Sequence, residues 1–550
     1  MKAWKAVWVA LFLGVLVSVS ALFSADWSYP FSDSSLGGVV KSAKGEPLEG
    51  ILVRVRKEGA TLAVTVISDA NGKYRFPKLE SGKYTVEIAR ADGLEPSKQD
   101  VVLGPGREGH ADFTLGPPKD MALQMTIVDW LANLPGPAKQ TEMVETYCTN
   151  CHLSAVMRFR FDKANWLKII HFMREGGAGH GDTREPGLAA ATAPRDQASR
   201  EQENQVLAEY LEKVRGPQPL DLSQASILPR PTGRSTHAIF TEYDVPYANA
   251  EPHDTAVDPE GIVWWSDWRW GTLGRLDPAT GERKYWELPQ VKPNARPGTF
   301  RIVFDKDHNP WVALAWTGGL AKFDRKTEKF TTWVLPDRGA RRTAQLGVDN
   351  VRGRIWFHTD DFNRKEAMGF YVPANKQYTL FDDVPAYGIL TDSKGNGYAL
   401  GWTYDNIVTR IDAETQERTV YPVPTPKSTP RRGDYDAQDR IWFAEYNADQ
   451  IGMLDPKSGK ITEYKLPAPA GKPYSVNVDR RTGLVWTAEF LKDRFAMLDP
   501  KTGEIREYLL PTRESRVRII DSYSVGDHSV IWYGSLPVFE HASIVKLEVW

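Results

Sequence analysis

The sequence contains very few cysteines and no excess of charge of either sign. Only two cysteines occur among its 550 residues, so a scaffold stapled by several disulfides is excluded. Its 69 Lys and Arg are balanced by 71 Asp and Glu, which leaves a net charge of −2. A nucleic-acid-binding protein needs a basic surface, and we therefore expect no nucleic-acid partner. With 19 Trp, 21 Tyr, 21 Phe, 44 Gly and 37 Pro, the composition favours short strands joined by turns.

Long apolar runs are absent from the sequence except near its first residues. Lys2 and Lys5 precede an uncharged apolar run over residues 6–23, with a candidate cleavage site at Val19-Ser20-Ala21 near its end and a second at Ser24-Ala25. This pattern predicts a secretory signal peptide over residues 1–25. The alternative is an uncleaved membrane anchor, and only in that case do we expect a membrane partner. Under both interpretations the rest of the chain lies in the periplasm or elsewhere outside the cytoplasm.

Residues 35–116 alternate strand-like runs with turn signals. Runs such as Ile51–Arg56 and Tyr84–Ile88 show period-two patterning, and Asp69-Ala-Asn-Gly72 lies between two of them. The zone is predicted to be a small β-sandwich. Its pattern, including Asp69-Ala-Asn-Gly-Lys-Tyr-Arg-Phe76, resembles the carboxypeptidase regulatory-like domain, which implies a non-catalytic module.

Residues 120–216 change to helical spacing and contain both cysteines, in Cys148-Thr-Asn-Cys151-His152. A Cys-x-x-Cys pair followed at once by His is the attachment pattern of c-type haem. Two thiols one helical turn apart suit the two vinyl groups of one porphyrin, and His152 would then ligate the iron. The alternatives are a dithiol redox pair or half of a zinc site. The chain has no second Cys pair for zinc and no βαβ context for a thioredoxin-like motif, so we predict one covalent haem c.

The distal iron ligand has several candidates. Met157, His171, Met173 and His180 all follow the haem motif, and a distal Met or His would set the potential of the iron. The run Trp166-Leu-Lys-Ile-Ile-His-Phe-Met173 and the helix that follows resemble mono-haem class I cytochromes c. That resemblance implies Met173 as the ligand, whereas the other interpretations are His171, His180 or an open site.

Residues 235–550 contain a strand-rich repeat. Its copies, of the type Gly452-Met-Leu-Asp-Pro-Lys-Ser-Gly459, recur at intervals of about 40 to 48 residues, which is typical of a propeller. The equivalent positions are Asp277, Asp324, Val372, Asp412, Asp455 and Asp499. A last unit around Ile531–Tyr533 lacks its outer strand, and residues 238–246 resemble it. The predicted fold is therefore multidomain and mainly β: a β-sandwich, a small all-α cytochrome c domain, and a seven-bladed β-propeller closed by an N-terminal strand. The regular aspartates are interpreted as turn formers.

The repeat, with Ile441-Trp-Phe-Ala-Glu445, resembles the virginiamycin B lyase (streptogramin lyase) family. That resemblance implies a metal-assisted elimination with a histidine base and carboxylates near a magnesium ion in the central mouth. His253, His358, Glu445 and Glu489 are the candidate catalytic residues, because we expect them to face the channel. Carboxylates suit a divalent cation and a histidine suits a base. The alternative is that these groups are solvated channel residues.

Three functions follow from this domain mixture. The first is a haem protein that passes electrons to or from a partner protein or a small-molecule substrate bound at the propeller. The second is a metal-dependent C–O lyase with an accessory haem domain. The third is a binding protein whose haem senses redox state or a ligand. The fusion of a haem motif to a lyase-like propeller favours the first.

Overall fold

The computed structural model of the chain describes residues 36–174, 197–218, 220–293, 298–335, 343, 345–360, 366–401, 406–467, 471–537 and 541–550, without the side chains of residues 149–155, 174 and 360. The predicted signal peptide, residues 1–25, and the candidate ligand His180 lie outside the described residues. Within the described ranges, no helix is long and apolar enough to cross a bilayer.

The first part of the chain forms two packed sheets. One has the order β4-β1-β7 with β8 also paired to β1, and β3, β2, β5 and β6 form the other. Alternation along β5 places Tyr84, Val86 and Ile88 in the shared core. The strands are β1 (Leu36–Ser42), β2 (Leu52–Lys57), β3 (Leu62–Ile67), β4 (Lys73–Arg75), β5 (Gly82–Arg90), β6 (Lys98–Leu103), β7 (Gly109–His110) and β8 (Phe113–Leu115).

A helical segment (residues 120–216) follows the sandwich. Its described residues form α1 (Ile127–Asn133), α2 (Ala138–His152), α3 (Lys163–Arg174) and α4 (Gln197–Arg215). Helix α1 begins with a capping box, in which Thr126 and Asp129 satisfy each other's backbone N–H groups. Trp166 of α3 is buried and donates its indole N–H to the carbonyl of Arg215 at 3.2 Å, which joins α3 to the end of α4.

The described residues after 237 form seven antiparallel four-stranded units, which we number blades 1 to 7. Blades 1 to 3 comprise β10 (Pro252–Val257), β11 (Val263–Asp267), β12 (Thr272–Leu276), β13 (Arg283–Glu287), β14 (Ile302–Phe304), β15 (Pro310–Leu314), β16 (Gly319–Asp324), β17 (Lys329–Val334), β18 (Leu346–Asp349), β19 (Arg354–Asp360), β20 (Glu366–Val372) and β21 (Gln377–Phe381). Blades 4 to 6 comprise β22 (Gly388–Thr391), β23 (Gly397–Leu400), β24 (Ile407–Ile411), β25 (Arg418–Pro422), β26 (Pro430–Tyr435), β27 (Ile441–Glu445), β28 (Gln450–Asp455), β29 (Lys460–Lys465), β30 (Pro473–Val478), β31 (Val485–Glu489), β32 (Arg494–Leu498) and β33 (Ile505–Leu509). Blade 7 comprises β34 (Ile520–Val525), β35 (His528–Ser535), β36 (Ser543–Val549) and β9 (Ala238–Asp244).

The blades are arranged in a propeller-like ring. The first strand of each blade contacts the first strand of the next, and β34 of blade 7 contacts β10 of blade 1. Strand β9 pairs with β36 in an antiparallel ladder from Ala238 opposite Val549 to Asp244 opposite Ser543. The prediction that the segment beginning at residue 238 supplies the missing outer strand is thereby confirmed.

The regularly spaced aspartates stabilise turns, as the sequence indicated. Asp277, Asp412 and Asp455 each accept a hydrogen bond from the backbone N–H two residues later, at 2.9 Å. A second set of aspartates accepts from blade tryptophans, as Asp258 does from Trp264 Nε1 at 2.9 Å. The repeat therefore encodes turn closure and the packing of buried aromatics between blades.

Strand β9 also joins the sandwich to the ring. It pairs on its other edge with β3, so blade 7 continues into β3-β2-β5-β6 as one eight-stranded sheet. Arg54 of the sandwich donates its Nε–H to Glu242 of β9 at 2.8 Å across this seam.

A buried ionic cluster lies where the three parts of the chain meet. Arg90 of the sandwich donates Nε–H to Asp92 at 3.0 Å and Nη1–H to Asp493 of blade 6 at 3.2 Å. Arg513 contacts Asp92 and also donates to the side chain of Gln124, at the start of the helical segment, at 2.8 Å. Burial alone would raise the pKa of Asp92, but the guanidinium groups of Arg90 and Arg513 outweigh it and lower the pKa to about 2.

We expect Arg90→Ala to lower the free energy of unfolding by about 3 to 5 kcal/mol, because it removes the cation paired with Asp493 and one of the two that contact Asp92. Urea denaturation of the full chain measures the change. Arg75→Ala is the control, since Arg75 pairs with Glu108 at an exposed site, and we expect it to cost less than about 1 kcal/mol. Equal losses in the two variants would contradict a structural role for the buried cluster.

Candidate functional site

Three blades begin their first strand in the same unusual way. Strands β10, β26 and β30 each start with proline, and each has a register shift directly after it. Such bulges redirect side chains at the ends of strands. The residues after these prolines are His253, Arg431 and Tyr474, and all three are buried.

His253 and Asp254 form a buried pair on β10. Nδ1 of His253 contacts Oδ1 of Asp254, and each residue is 1% exposed. The ring of Phe300 meets the imidazole edge to face at 4.5 Å between centroids. Burial, helped by the charges of Arg518 and Arg432, lowers the pKa of His253 to about 3 despite the carboxylate. The imidazole is therefore neutral at neutral pH, with its proton on Nδ1 and its Nε2 lone pair available.

Two consecutive arginines of β26 lie beside this pair. Arg432 donates Nη2–H to the hydroxyl of Tyr387 at 3.1 Å, and its Nη1 is 3.9 Å from Oδ1 of Asp254. The Arg431 guanidinium lies over the ring of Tyr474 at 3.7 Å and over that of Tyr446 at 4.6 Å. We call His253, Asp254, Tyr387, Arg431 and Arg432 the mouth cluster.

His358 joins the edge of the mouth cluster. It lies on β19, the second strand of blade 3, and its ring centroid is 6.4 Å from that of Tyr387. The structure thus connects His358 to His253 through Tyr387, Arg432 and Asp254. Neither the two arginines nor Tyr387 was predicted from the sequence. The openings Pro252-His-Asp, Pro430-Arg-Arg and Pro473-Tyr-Ser are parallel, and this signal could have indicated the arginines but not Tyr387.

The two predicted glutamates do not join the mouth cluster. Glu445 and Glu489 end β27 and β31, where they lie opposite Pro430 and Pro473 in the ladders. Burial, and to a lesser degree Glu463, raises the pKa of Glu445 to about 8. Burial also raises the pKa of Glu489, which forms an ion pair with the equally buried Lys492. Among the described residues, no group of three or more His, Cys, Asp or Glu side chains is placed to hold a metal ion.

The helical segment covers the mouth. Its apolar core, which includes Trp166 and Leu211, is continuous with Tyr446, Tyr474 and Phe490 of blades 5 and 6. At the rim, Lys472 pairs with Glu145 of α2 at 2.9 Å. Arg158 pairs with Glu514 of the blade 6 to blade 7 connection at 3.3 Å.

The haem motif lies at the end of the helix that contacts the mouth. Cys148 follows Glu145 by three residues, on the same side of α2, and is partly buried against the shared core. Cys151 and His152 belong to the last turn of α2, and their side chains lie outside the described residues. The pair of Glu145 with Lys472 places the preceding turn of α2 beside the mouth, because Lys472 in turn lies over the ring of Tyr446 at 5.5 Å.

The candidate distal ligands differ in their surroundings. Met173 lies near the end of α3 and is 36% exposed, whereas Met157 is fully buried in the helical core. His171 Nε2 is 2.8 Å from a carboxylate oxygen of Glu201. A contact with Glu201 therefore engages His171, whereas Met173 is partly exposed to solvent.

Two family models match parts of the chain. The virginiamycin B lyase family matches residues 393–535, which contribute strands to blades 4 to 7. The carboxypeptidase regulatory-like domain matches residues 35–116, the sandwich. The family resemblances expected for these two parts are confirmed.

Solved structures of lyases and curated relatives from staphylococci also match parts of the chain. A streptogramin B lyase structure has 20% sequence identity and a TM-score of 0.50, over 58% of this chain and all of that chain. A selenomethionine-substituted virginiamycin B lyase from Staphylococcus aureus has 19% identity and a TM-score of 0.49, over 57% of this chain. Serine-aspartate repeat-containing protein F of Staphylococcus epidermidis is 28% identical over 92 residues, 17% of this chain and 5% of that protein. The chain thus spans a small fraction of the curated relative, and the streptogramin B lyase structure supports a propeller-like fold.

Replacing Glu445 tests its elevated pKa. In the folded protein the carboxyl of Glu445 stays protonated up to a pKa of about 8, whereas in the unfolded chain it ionises near pH 4.5. Its contribution to the free energy of unfolding is therefore fully present below pH 4.5 and is lost as the pH rises toward 8. We therefore expect the stability of Glu445→Gln relative to wild type to increase between pH 5 and pH 8, by at most about 1.4 kcal/mol per pH unit. Urea denaturation at four pH values measures this difference. Glu414→Gln, at an exposed position, is the charge control, and a pH-independent difference for Glu445→Gln would refute the assignment.

Proposed function

We propose that this chain is an extracytoplasmic c-type haem protein that exchanges electrons with a partner protein or a small molecule at the mouth of its lyase-like ring. The observation that carries the proposal is the position of the haem motif. Cys148, Cys151 and His152 belong to the helix that packs on the mouth, so a haem held there is adjacent to the mouth cluster.

The residues present fit a covalent haem. Two thiols and a histidine within five residues at the end of one helix are the donor set that c-type haem requires. Cys148, like Tyr147, is partly buried against the apolar core of the helical segment, an environment that suits a porphyrin face. When bound, a haem supplies a one-electron ferric/ferrous couple. Cys148 and Cys151 would hold it covalently, His152 would ligate the iron, and Met173 is the proposed distal ligand.

An extracytoplasmic location agrees with this chemistry. The apolar run after Lys2 and Lys5 is typical of export, and c-type haem is attached outside the cytoplasm. The match of the sandwich to the carboxypeptidase regulatory-like domain and to repeat-containing proteins of staphylococci also supports it.

An optical spectrum of protein matured in a periplasm that attaches haem tests the proposal. We expect a c-type α band on reduction and a weak Met–iron band in the oxidised form, because sulfur and imidazole would both ligate the iron. Met173→Ala should abolish the weak band and keep the haem, whereas Cys148→Ser with Cys151→Ser should lose covalent haem.

Met157→Leu is the matched control, since Met157 is buried in the helical core, and its spectrum should equal that of wild type. A high-spin spectrum that Met173→Ala leaves unchanged would contradict the distal assignment and favour ligand sensing. Protein without any haem would reject the redox function.

A second candidate is a C–O lyase of the streptogramin lyase type with an accessory haem segment. The family match to residues 393–535 supports it, as does the neutral His253 beside Asp254, a pair that suits a general base. This candidate requires a divalent cation in the mouth.

Incubation with a cyclic depsipeptide lactone and Mg²⁺, followed by mass spectrometry, separates the two functions. The redox proposal predicts that the ring stays closed. Ring opening that chelation of Mg²⁺ stops and His253→Ala abolishes would instead establish the lyase.

A further inference from the structure

We propose that the mouth cluster is a carboxylate-binding site in which Arg432 receives the carboxylate and His253 accepts a hydrogen bond from a neighbouring hydroxyl group of the ligand. The ligand class is a small hydroxycarboxylic acid. A haem propionate could supply the same carboxylate, and only that second source rests on the proposed haem function.

Positive charge is concentrated at the mouth cluster. Arg431 and Arg432 are 1% and 3% exposed, and Arg518 lies beside them and donates to the hydroxyl of Tyr474 at 2.7 Å. The carboxylate of Asp254 contacts the neutral His253 and lies 3.9 Å from Nη1 of Arg432. Buried guanidinium N–H groups are costly unless each meets an acceptor, and the described residues leave N–H groups of Arg432 without one.

Unused polar atoms show where the anion would bind. Nε and Nη1 of Arg432 have no hydrogen-bond partner among the described residues, and the 3.9 Å from Nη1 to Asp254 is too long for a hydrogen bond. Guanidinium N–H groups are strong donors to carboxylates. Arg432 is held in place by its bond to Tyr387, so these donors are preorganised.

The histidine adds a requirement for a hydroxyl group. Nδ1 of His253 is engaged with Asp254, so Nε2 is an acceptor, and it too lacks a partner within the described part of the chain. An acceptor repels a carboxylate oxygen but binds a ligand O–H. Arg432 and His253 approach the same oxygen of Asp254. We therefore infer that the carboxylate bound by Arg432 and the hydroxyl group bound by His253 belong to one small ligand. A haem propionate has no such hydroxyl, and the burial of the mouth cluster disfavours a polymer.

Calorimetric titration with glycolate and acetate at constant ionic strength tests the site. These probes differ only by the hydroxyl group. We expect wild type to bind glycolate more tightly than acetate, and Arg432→Gln to weaken both by at least about tenfold because a charged hydrogen-bond partner is lost. His253→Phe should reduce the affinity for glycolate to that for acetate.

Arg440→Gln is the control, because Arg440 already pairs with Asp436 at 2.6 Å and should not affect either titration. Arg432→Lys keeps the charge and should retain part of the binding if Arg432→Gln fails to fold. Glycolate binding that Arg432→Gln leaves unchanged, or no binding in any form of the protein, would overturn the proposal.

The source of the carboxylate is identified by titrating haem-loaded protein and the Cys148→Ser, Cys151→Ser form in parallel. Binding to both forms indicates a diffusible acid. If glycolate binds only to the haem-free form, a haem propionate occupies the site in the loaded protein. A lower haem midpoint potential in Arg432→Gln would support the propionate, and the two results together reject the diffusible acid. The glycolate titration of the haem-free form tests the carboxylate site independently of whether the natural protein carries haem.

Discussion

The arrangement of this chain depends on the double pairing of strand β9. One edge completes blade 7 and the other continues into the sandwich, so one strand, through a backbone ladder on each edge, completes the last blade and attaches the N-terminal module. A sheet edge left open invites association with other chains. Here both edges of β9 are used, and the sandwich is an extension of the ring rather than a tethered neighbour.

Around that strand, buried charges and apolar surface set the position of the helical segment. The ionic cluster of Arg90, Asp92, Asp493 and Arg513 meets the helical segment at Gln124. The aromatic side chains of blades 5 and 6 extend the helical core. The covering of the mouth therefore rests on hydrophobic burial reinforced by charges from all three parts.

Much of the fold could be predicted from the sequence, because local patterns carry it. The repeat predicted the strand units, and the regular aspartates predicted the turns that Asp277 and Asp455 close. The site was harder, because it depends on contacts between blades and on a bulge. Glu445 and Glu489 have the residue type of a metal ligand, but among the described residues they belong to no group of three side chains placed to hold a metal ion. Arg431 and Arg432 resemble surface charges in sequence, yet a bulge after Pro430 places them in the interior. Long-range packing of α2 on the ring is equally invisible to local patterning.

The pairing of β9 with β36 also has a consequence for biogenesis. The two strands are separated by roughly 300 residues of chain, and loop closure over such a span is slow. A chain that emerges N-terminus first presents residues 238–244 long before residues 543–549. During that interval one edge of the growing sheet is exposed, and the sandwich can already occupy the other edge. The N-terminal module would then protect one edge of β9 from pairing with other chains until β36 is synthesised and pairs with the other edge.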